Sequence, residues 1–241
     1  MEMENKLYGK TIIWNGDSIC AGIAQTGNWA TRIAEKNAMT FQNYAIGGGT
    51  IAIDLPPTKS GTPRHSVSAT LDTMYQQYPD ADYVVFEGGT NDADLLGCAI
   101  FGATDTRIGD FDPDDFSGNY DERTFCGALE SVFYRATKYW MGKKLCYIVA
   151  QKMGLGVTPS FKNRRYYFDK AVEICKKWGI PYLDLWNGCH CNPRLPWMYD
   201  ESKTAEENLA ENKGFYRDGQ HLTARGYDYT ADVIDSWLKT L

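Results

Sequence analysis

A chain of 241 residues, 43% hydrophobic and 23% charged, is long enough to bury a substantial core and has the composition of a globular protein. Its formal net charge of -6, without any cluster of Lys and Arg, excludes a nucleic acid or an anionic membrane surface as partner, because both are held by clustered cations. No run approaches the roughly 18 apolar residues of a membrane span, so no stable membrane association is expected.

Short β-rich runs alternate with longer amphipathic stretches along the chain, the pattern of βαβ units around a parallel sheet. The first strand is expected at Thr11–Asn15 and ends in Gly16-Asp17-Ser18-Ile19. This puts a serine on a tight turn at the carboxyl end of a buried strand, where open α/β sheets place their chemistry. A helix over Asn28–Asn37 leads to a strand at Thr40–Tyr44 and the glycine run Gly47-Gly48-Gly49. Ser68–Tyr78 reads as the next helix and Tyr83–Glu87 as the third strand, which delivers Gly88-Gly89-Thr90-Asn91-Asp92. A long aspartate-rich connection, Ala93–Glu122, comes before a helix at Arg123–Met141, a strand at Lys144–Ala150, a helix at Phe161–Trp178 and a strand at Pro181–Leu185. A second long connection, Trp186–Arg217, precedes Asp218-Gly219-Gln220-His221 and a last helix at Thr223–Leu238, whose Tyr227, Ala231, Ile234 and Leu238 recur at helical steps. Loops of such length are usually functional or disordered, and both are expected to roof the site. One doubly wound domain, residues 1–241, accounts for the whole pattern.

A serine hydroxyl is a weak nucleophile until a base takes its proton, and the base works best when a carboxylate fixes its tautomer. Of the three histidines, His65, His190 and His221, only His221 has an acid three positions before it, Asp218, and a helix directly behind it. Ser18, His221 and Asp218 are therefore the candidate nucleophile, base and orienting acid. An oxyanion needs donors already aimed at it. The candidates are the Ser18 N–H, the side-chain amide of Asn91 and one glycine of the run: Gly48, five residues after Asn43, is preferred over its neighbours Gly47 and Gly49. Asp17, Trp197 and Tyr199 are placed as substrate contacts, the two aromatics as faces for a sugar ring or walls of an acyl pocket. Arg64-His65, on a Pro/Gly-rich loop, is a further candidate for holding a polar substrate group.

In order and spacing, the blocks at Gly16-Asp17-Ser18-Ile19, Gly47-Gly48-Gly49, Gly89-Thr90-Asn91-Asp92 and Asp218-Gly219-Gln220-His221 resemble those of the SGNH hydrolases, the GDSL esterase/lipase family. The resemblance implies a three-layer α/β/α, flavodoxin-like fold with a parallel five-stranded sheet. It also implies an acyl-enzyme at Ser18, an oxyanion hole of Ser18, Gly48 and Asn91, and His221 and Asp218 as base and orienter. Neither cofactor nor metal is required. One block departs from the family, which often reads Asn-x-Gly-x-x-Gly there: Ala45 stands at the first glycine position and Gly47, Gly48 and Gly49 crowd the second.

Other readings of the same residues are weaker. The glycine run lacks the Lys-Ser/Thr of a phosphate loop, and Cys20 stands where the Gly-x-Ser-x-Gly elbow needs glycine. Cys189-His190-Cys191 has no second ligand pair to complete a tetrahedron, and Asp112-Pro113-Asp114-Asp115 lacks the spacing of a calcium loop, so no metal is expected. Seven unevenly spaced cysteines, and a start at Met1–Lys6 without the apolar core of a signal peptide, predict a cytoplasmic protein, or a secreted one if such a peptide has been removed. The expected substrate is a small-molecule or oligosaccharide ester, in particular an O-acetyl group on carbohydrate, because neither long connection offers an extended apolar surface for an acyl tail. The alternatives are a lipid-acyl hydrolase, an acyltransferase and a non-catalytic carbohydrate-binding relative.

Overall fold

The strands β1 (Thr11–Asn15), β3 (Tyr83–Glu87) and β4 (Lys144–Val149) are buried almost throughout, as parallel strands covered by helices on both faces must be. In the computed structural model, which describes residues 5–58, 60–96, 108–154 and 159–241, they form the middle of a five-stranded parallel sheet. The edges are β2 (Thr40–Asn43) and β5 (Tyr182–Asp184), and the order is β2-β1-β3-β4-β5. Trp14 of β1 lies between Asn43 of β2 and Val85 of β3 in the register. The chain reverses its direction of travel across the sheet between β1 and β3, the point at which flavodoxin-like sheets open a crevice at their carboxyl ends. Ser18 follows β1 and Asn91 follows β3, so both stand at that crevice.

The chain passes from β1 to β2 through α1 (Ser18–Ala21) and α2 (Trp29–Asn37), and from β2 to β3 through α3 (Val67–Gln77). Then come α4 (Thr90–Leu96) and α5 (Phe125–Tyr139) before β4, and α6 (Pro159–Trp178) before β5. After β5 follow α7 (Leu185–Gly188), α8 (Ala205–Glu211) and α9 (Ala224–Leu238). Right-handed crossovers put α2 on one face and α3, α5 and α6 on the other, because the chain moves outward to β2 and then back across the sheet. The last helix returns to α2, where Trp29 Nε1 donates to Thr230 Oγ1 at 2.8 Å and Asn37 Nδ2 to Asp235 Oδ1 at 2.7 Å. The architecture is the expected three-layer α/β/α sheet fold.

All five strands and five long helices fall within a few residues of the ranges expected from sequence. The short helices α1, α4, α7 and α8 were not anticipated, being too brief to show a periodic pattern. Side-chain caps hold several of them, Asp17 on α1 and a Thr204–Glu207 capping box on α8. One expectation is corrected: the described part of the acidic connection, 108–122, does not roof the strand ends but lies against α5 and α6. Lys177 anchors it there. This side chain is almost fully buried, donates to the carbonyls of Asp112 and Asp115 at 2.7 Å each, pairs with Glu130 and sits over the rings of Phe111, Phe116 and Tyr120. Asp105 and Arg107 lie outside the described residues. No described helix is long and apolar enough to cross a membrane.

Candidate active site

At the end of β1 the chain has little room, and glycine is required. A Cβ on Gly16 would sit 2.6 Å from Glu87 Oε2 and 2.9 Å from the Glu87 carbonyl oxygen. Glu87 Oε2 accepts from the Asp17 N–H at 3.1 Å, and Asp17 Oδ1 accepts from the Ile19 N–H at 2.8 Å, capping α1 and leaving Ser18 at its first helical position. Both carboxyls are fully buried. Burial, with the Asp17 charge beside it, pushes Glu87 well above the usual carboxylate range; burial raises Asp17 as well, opposed by the Ile19 N–H. Asp17 is thus not a substrate contact as expected from sequence. The helix start needs its carboxylate as a cap, and that requirement turns it into the core.

Ser18 Oγ lies 2.9 Å from His221 Nε2, and His221 Nδ1 lies 2.8 Å from Asp218 Oδ2. The other carboxylate oxygen accepts from the N–H groups of His221 at 2.7 Å and Gln220 at 3.0 Å. Burial pushes Asp218 up, but the hydrogen bond and charge of His221 and the two backbone donors outweigh it and hold the carboxyl below its ordinary value. An ionised carboxylate only accepts, so the imidazole proton is assigned to Nδ1 and Nε2 presents its lone pair to the serine hydroxyl.

The loop that carries the histidine is clamped from β4 and from beyond it. Arg164 holds Asp94 bidentately, at 3.0 and 2.6 Å, and spends a further donor on Gln220 Oε1 at 2.9 Å. Gln151 Nε2 donates to the Gln220 carbonyl at 3.1 Å, and the Gly154 N–H to the Gly219 carbonyl at 2.9 Å. Sequence reasoning missed Asp94, Gln151 and Arg164, which are separated along the chain and belong to no motif.

The glycine run follows a turn set by Asn43, whose Oδ1 accepts from the Ala45 N–H at 3.0 Å and whose Nδ2 donates to the Cys20 carbonyl at 3.1 Å. The Gly49 N–H is spent on the Ile46 carbonyl at 2.9 Å. Gly48 has a φ of 78°, a left-handed conformation that costs glycine little, and its carbonyl accepts from Arg64 Nη1 at 2.7 Å. Gly47 faces the serine: a Cβ there would lie 4.0 Å from the Ser18 Cβ. On the far side, Asn91 Nδ2 donates to the Gly49 carbonyl at 2.8 Å, which leaves one amide hydrogen available. Among the described residues, the N–H groups of Ser18, Gly47 and Gly48 meet no acceptor. Arg64 and His65 brace this turn, Arg64 through the Gly48 and Pro56 carbonyls and His65 through Asn15 Oδ1 at 2.8 Å.

A pocket of about 200 Å3 opens at Ser18 and His221, walled by Gly22, Ile23, Leu222, Tyr227 and Arg217. Larger depressions beside Leu55 and beside Tyr8 do not include the serine or the histidine. Trp197 and Tyr199 do not line the Ser18 pocket either. Trp197 is 69% exposed, and Tyr199 borders a separate hollow with Pro193 and Pro196. Burial first, and the Asp218 charge second, push the Tyr199 hydroxyl up, which puts Tyr199 near the histidine loop. Among the described residues, no group of three or more His, Cys, Asp or Glu is disposed to hold a metal ion.

Residues 15–229 match the model of the GDSL-like Lipase/Acylhydrolase family, a span that takes in all four blocks. No curated protein matches the chain. Among solved structures it is similar to a protein from Lactobacillus plantarum, 20% identical, with a TM-score of 0.68 and 97% of this chain and 98% of that one covered. It is also similar to an acetyl xylan esterase, 18% identical, with a TM-score of 0.60 and coverage of 96% and 100%. A native aryl esterase from M. smegmatis is 13% identical, with a TM-score of 0.62 and coverage of 97% and 100%. These likenesses establish the fold; the family follows from the matched span: the chain belongs to the GDSL-like Lipase/Acylhydrolase family and is a carboxylic ester hydrolase of the SGNH type.

Proposed function

We propose that the protein hydrolyses short-chain carboxylic esters, O-acetyl groups on carbohydrate in particular, through an acyl-Ser18 intermediate. The observation that carries this reading is the hydrogen-bonded chain from Ser18 Oγ through His221 to Asp218, at 2.9 and 2.8 Å, in the wall of a small pocket. His221 Nε2 takes the hydroxyl proton as Ser18 Oγ attacks the carbonyl carbon, and Asp218 stabilises the imidazolium that forms. The oxyanion is met by the Ser18 and Gly48 N–H groups and the free amide hydrogen of Asn91. His221 returns its proton to the leaving alcohol. Water then repeats the sequence on the acyl-serine and releases the acid.

Asn91→Ala is expected to lower kcat by about 10² to 10³ with little change in KM, since an oxyanion donor strengthens its bond mainly as charge develops. Steady-state kinetics on p-nitrophenyl acetate measure this. A change confined to KM would assign Asn91 to ground-state binding instead.

The substrate class rests on the small size of the pocket. The acetyl xylan esterase among the structural relatives agrees with it. Full burial of each added acyl methylene would contribute about 0.8 kcal/mol, and a pocket of about 200 Å3 that must also receive the ester group and its alcohol leaves little of that for a long chain. Across p-nitrophenyl esters, kcat/KM should peak at acetyl or propionyl and fall by octanoyl, and acetylated xylo-oligosaccharides should be deacetylated. A maximum at octanoyl or beyond would favour the lipid-acyl hydrolase.

A further inference from the structure

Arg217 stands immediately before Asp218 and lines the pocket that holds Ser18 and His221. The backbone of Arg217 is tied down: its N–H donates to the His221 carbonyl at 3.0 Å, and its carbonyl accepts from Asn208 Nδ2 at 3.3 Å. Its guanidinium is not. The side chain is 23% exposed, Nε is buried without a hydrogen bond, and among the described residues no acceptor takes any of its five N–H donors. Asp218 Oδ2 forms an ion pair with Nε at 3.5 Å, without hydrogen-bonding geometry, and its hydrogen bond goes to His221 Nδ1. Arg164, by contrast, spends three hydrogen bonds on Asp94 and Gln220.

Buried polar groups in folded proteins are nearly always paired, and a charged donor left without an acceptor is costlier still. The Arg217 charge has the Asp218 carboxylate beside it, but its N–H donors make no hydrogen bond among the described residues, and in the wall of an active-site pocket they are open to an acceptor that arrives with the substrate. Gly22, Ile23, Leu222 and Tyr227 of the same pocket carry no charge, so Arg217 is the cationic side chain that a substrate anion would meet there. The planar fork of a guanidinium matches a carboxylate, which can take two parallel N–H bonds from it. In a chain of net charge -6, which repels anions at long range, such a fork selects for one at short range.

We propose that Arg217 is a substrate-binding residue that recognises a carboxylate carried on the ester close to the scissile bond. The assignment rests on the esterase reading above. The carboxylate has two possible sources: the acyl side, as in a half-ester of a dicarboxylic acid, or the alcohol side, as in an acetylated uronic acid.

Two matched pairs of substrates separate the sources. One pair is p-nitrophenyl hemisuccinate against p-nitrophenyl butyrate, which share a four-carbon acyl chain. The other is an O-acetylated methyl glucuronoside against the O-acetylated methyl glucoside. The protein should favour the anionic member of one pair in kcat/KM by about tenfold or more, and the favoured pair identifies the side. Arg217→Gln should lower that preference by about tenfold, and Arg217→Lys should keep part of it, since an ammonium supplies charge without the fork. Reading a ratio removes any change in the amount of active protein. A preference that survives Arg217→Gln, or an active protein that favours the neutral member of both pairs, overturns the assignment and leaves the esterase reading standing. A folded protein inert towards all four esters and p-nitrophenyl acetate overturns both.

Discussion

Replacing Ser18 with Ala should lower turnover of p-nitrophenyl acetate by about 10⁴- to 10⁶-fold while leaving the fold intact. The size of the loss follows from the chemistry: without the hydroxyl no acyl-enzyme forms, and the remaining donors can only assist direct attack by water. The fold should survive because among the described residues the hydroxyl meets only His221, and the start of α1 is capped by Asp17 rather than by the serine. Circular dichroism and a melting temperature near that of the parent would separate lost chemistry from lost structure. Turnover within tenfold of the parent would place the nucleophile elsewhere.

Asp218→Asn should cost about 10⁴-fold in kcat, by an effect on the tautomer of the base. An asparagine that turns its amide donor towards His221 Nδ1 stabilises the tautomer with the proton on Nε2, which then cannot accept one from Ser18. The aspartate also holds the loop by accepting from the His221 and Gln220 N–H groups, and the asparagine oxygen can keep that duty, so stability should change much less than activity. The carboxyl is held below its ordinary value of 3.8 in the folded protein. Its contribution to stability is therefore complete above that value and is lost only as the pH falls through the lower, folded value. Weakly acidic solutions accordingly leave Asp218 charged. Unchanged kinetics in Asp218→Asn would mean that another acid orients the base.

Much of this was legible in the sequence because it depends on local chemistry. Short apolar, β-rich runs such as Trp14 and its neighbours, or Tyr83–Glu87, suit buried strands, and the serine, asparagine and histidine stand shortly after strands or before a helix. The choice among three glycines was narrowed by one backbone hydrogen bond: the Gly49 N–H is taken by Ile46, while that of Gly48 is open. Asp17 was misread because a carboxylate beside a nucleophile suggests contact with substrate, whereas capping and the neighbouring Glu87 decide its direction. The Arg164–Asp94–Gln220 clamp joins residues from three distant segments, and only the folded chain shows it. The acidic connection was expected over the site for its length and its start beyond the carboxyl end of a strand. Lys177, buried against aromatic rings, takes its described part elsewhere.

Intact-protein mass spectrometry after treatment with a fluorophosphonate probes Ser18 as the nucleophile that carries the acyl group. A single adduct per chain is expected, located by peptide mapping on Ser18, formed in step with the loss of esterase activity and absent from Ser18→Ala. Hydrolysis that continues undiminished with Ser18 fully labelled, or an adduct mapped to another residue as activity is lost, would contradict that role.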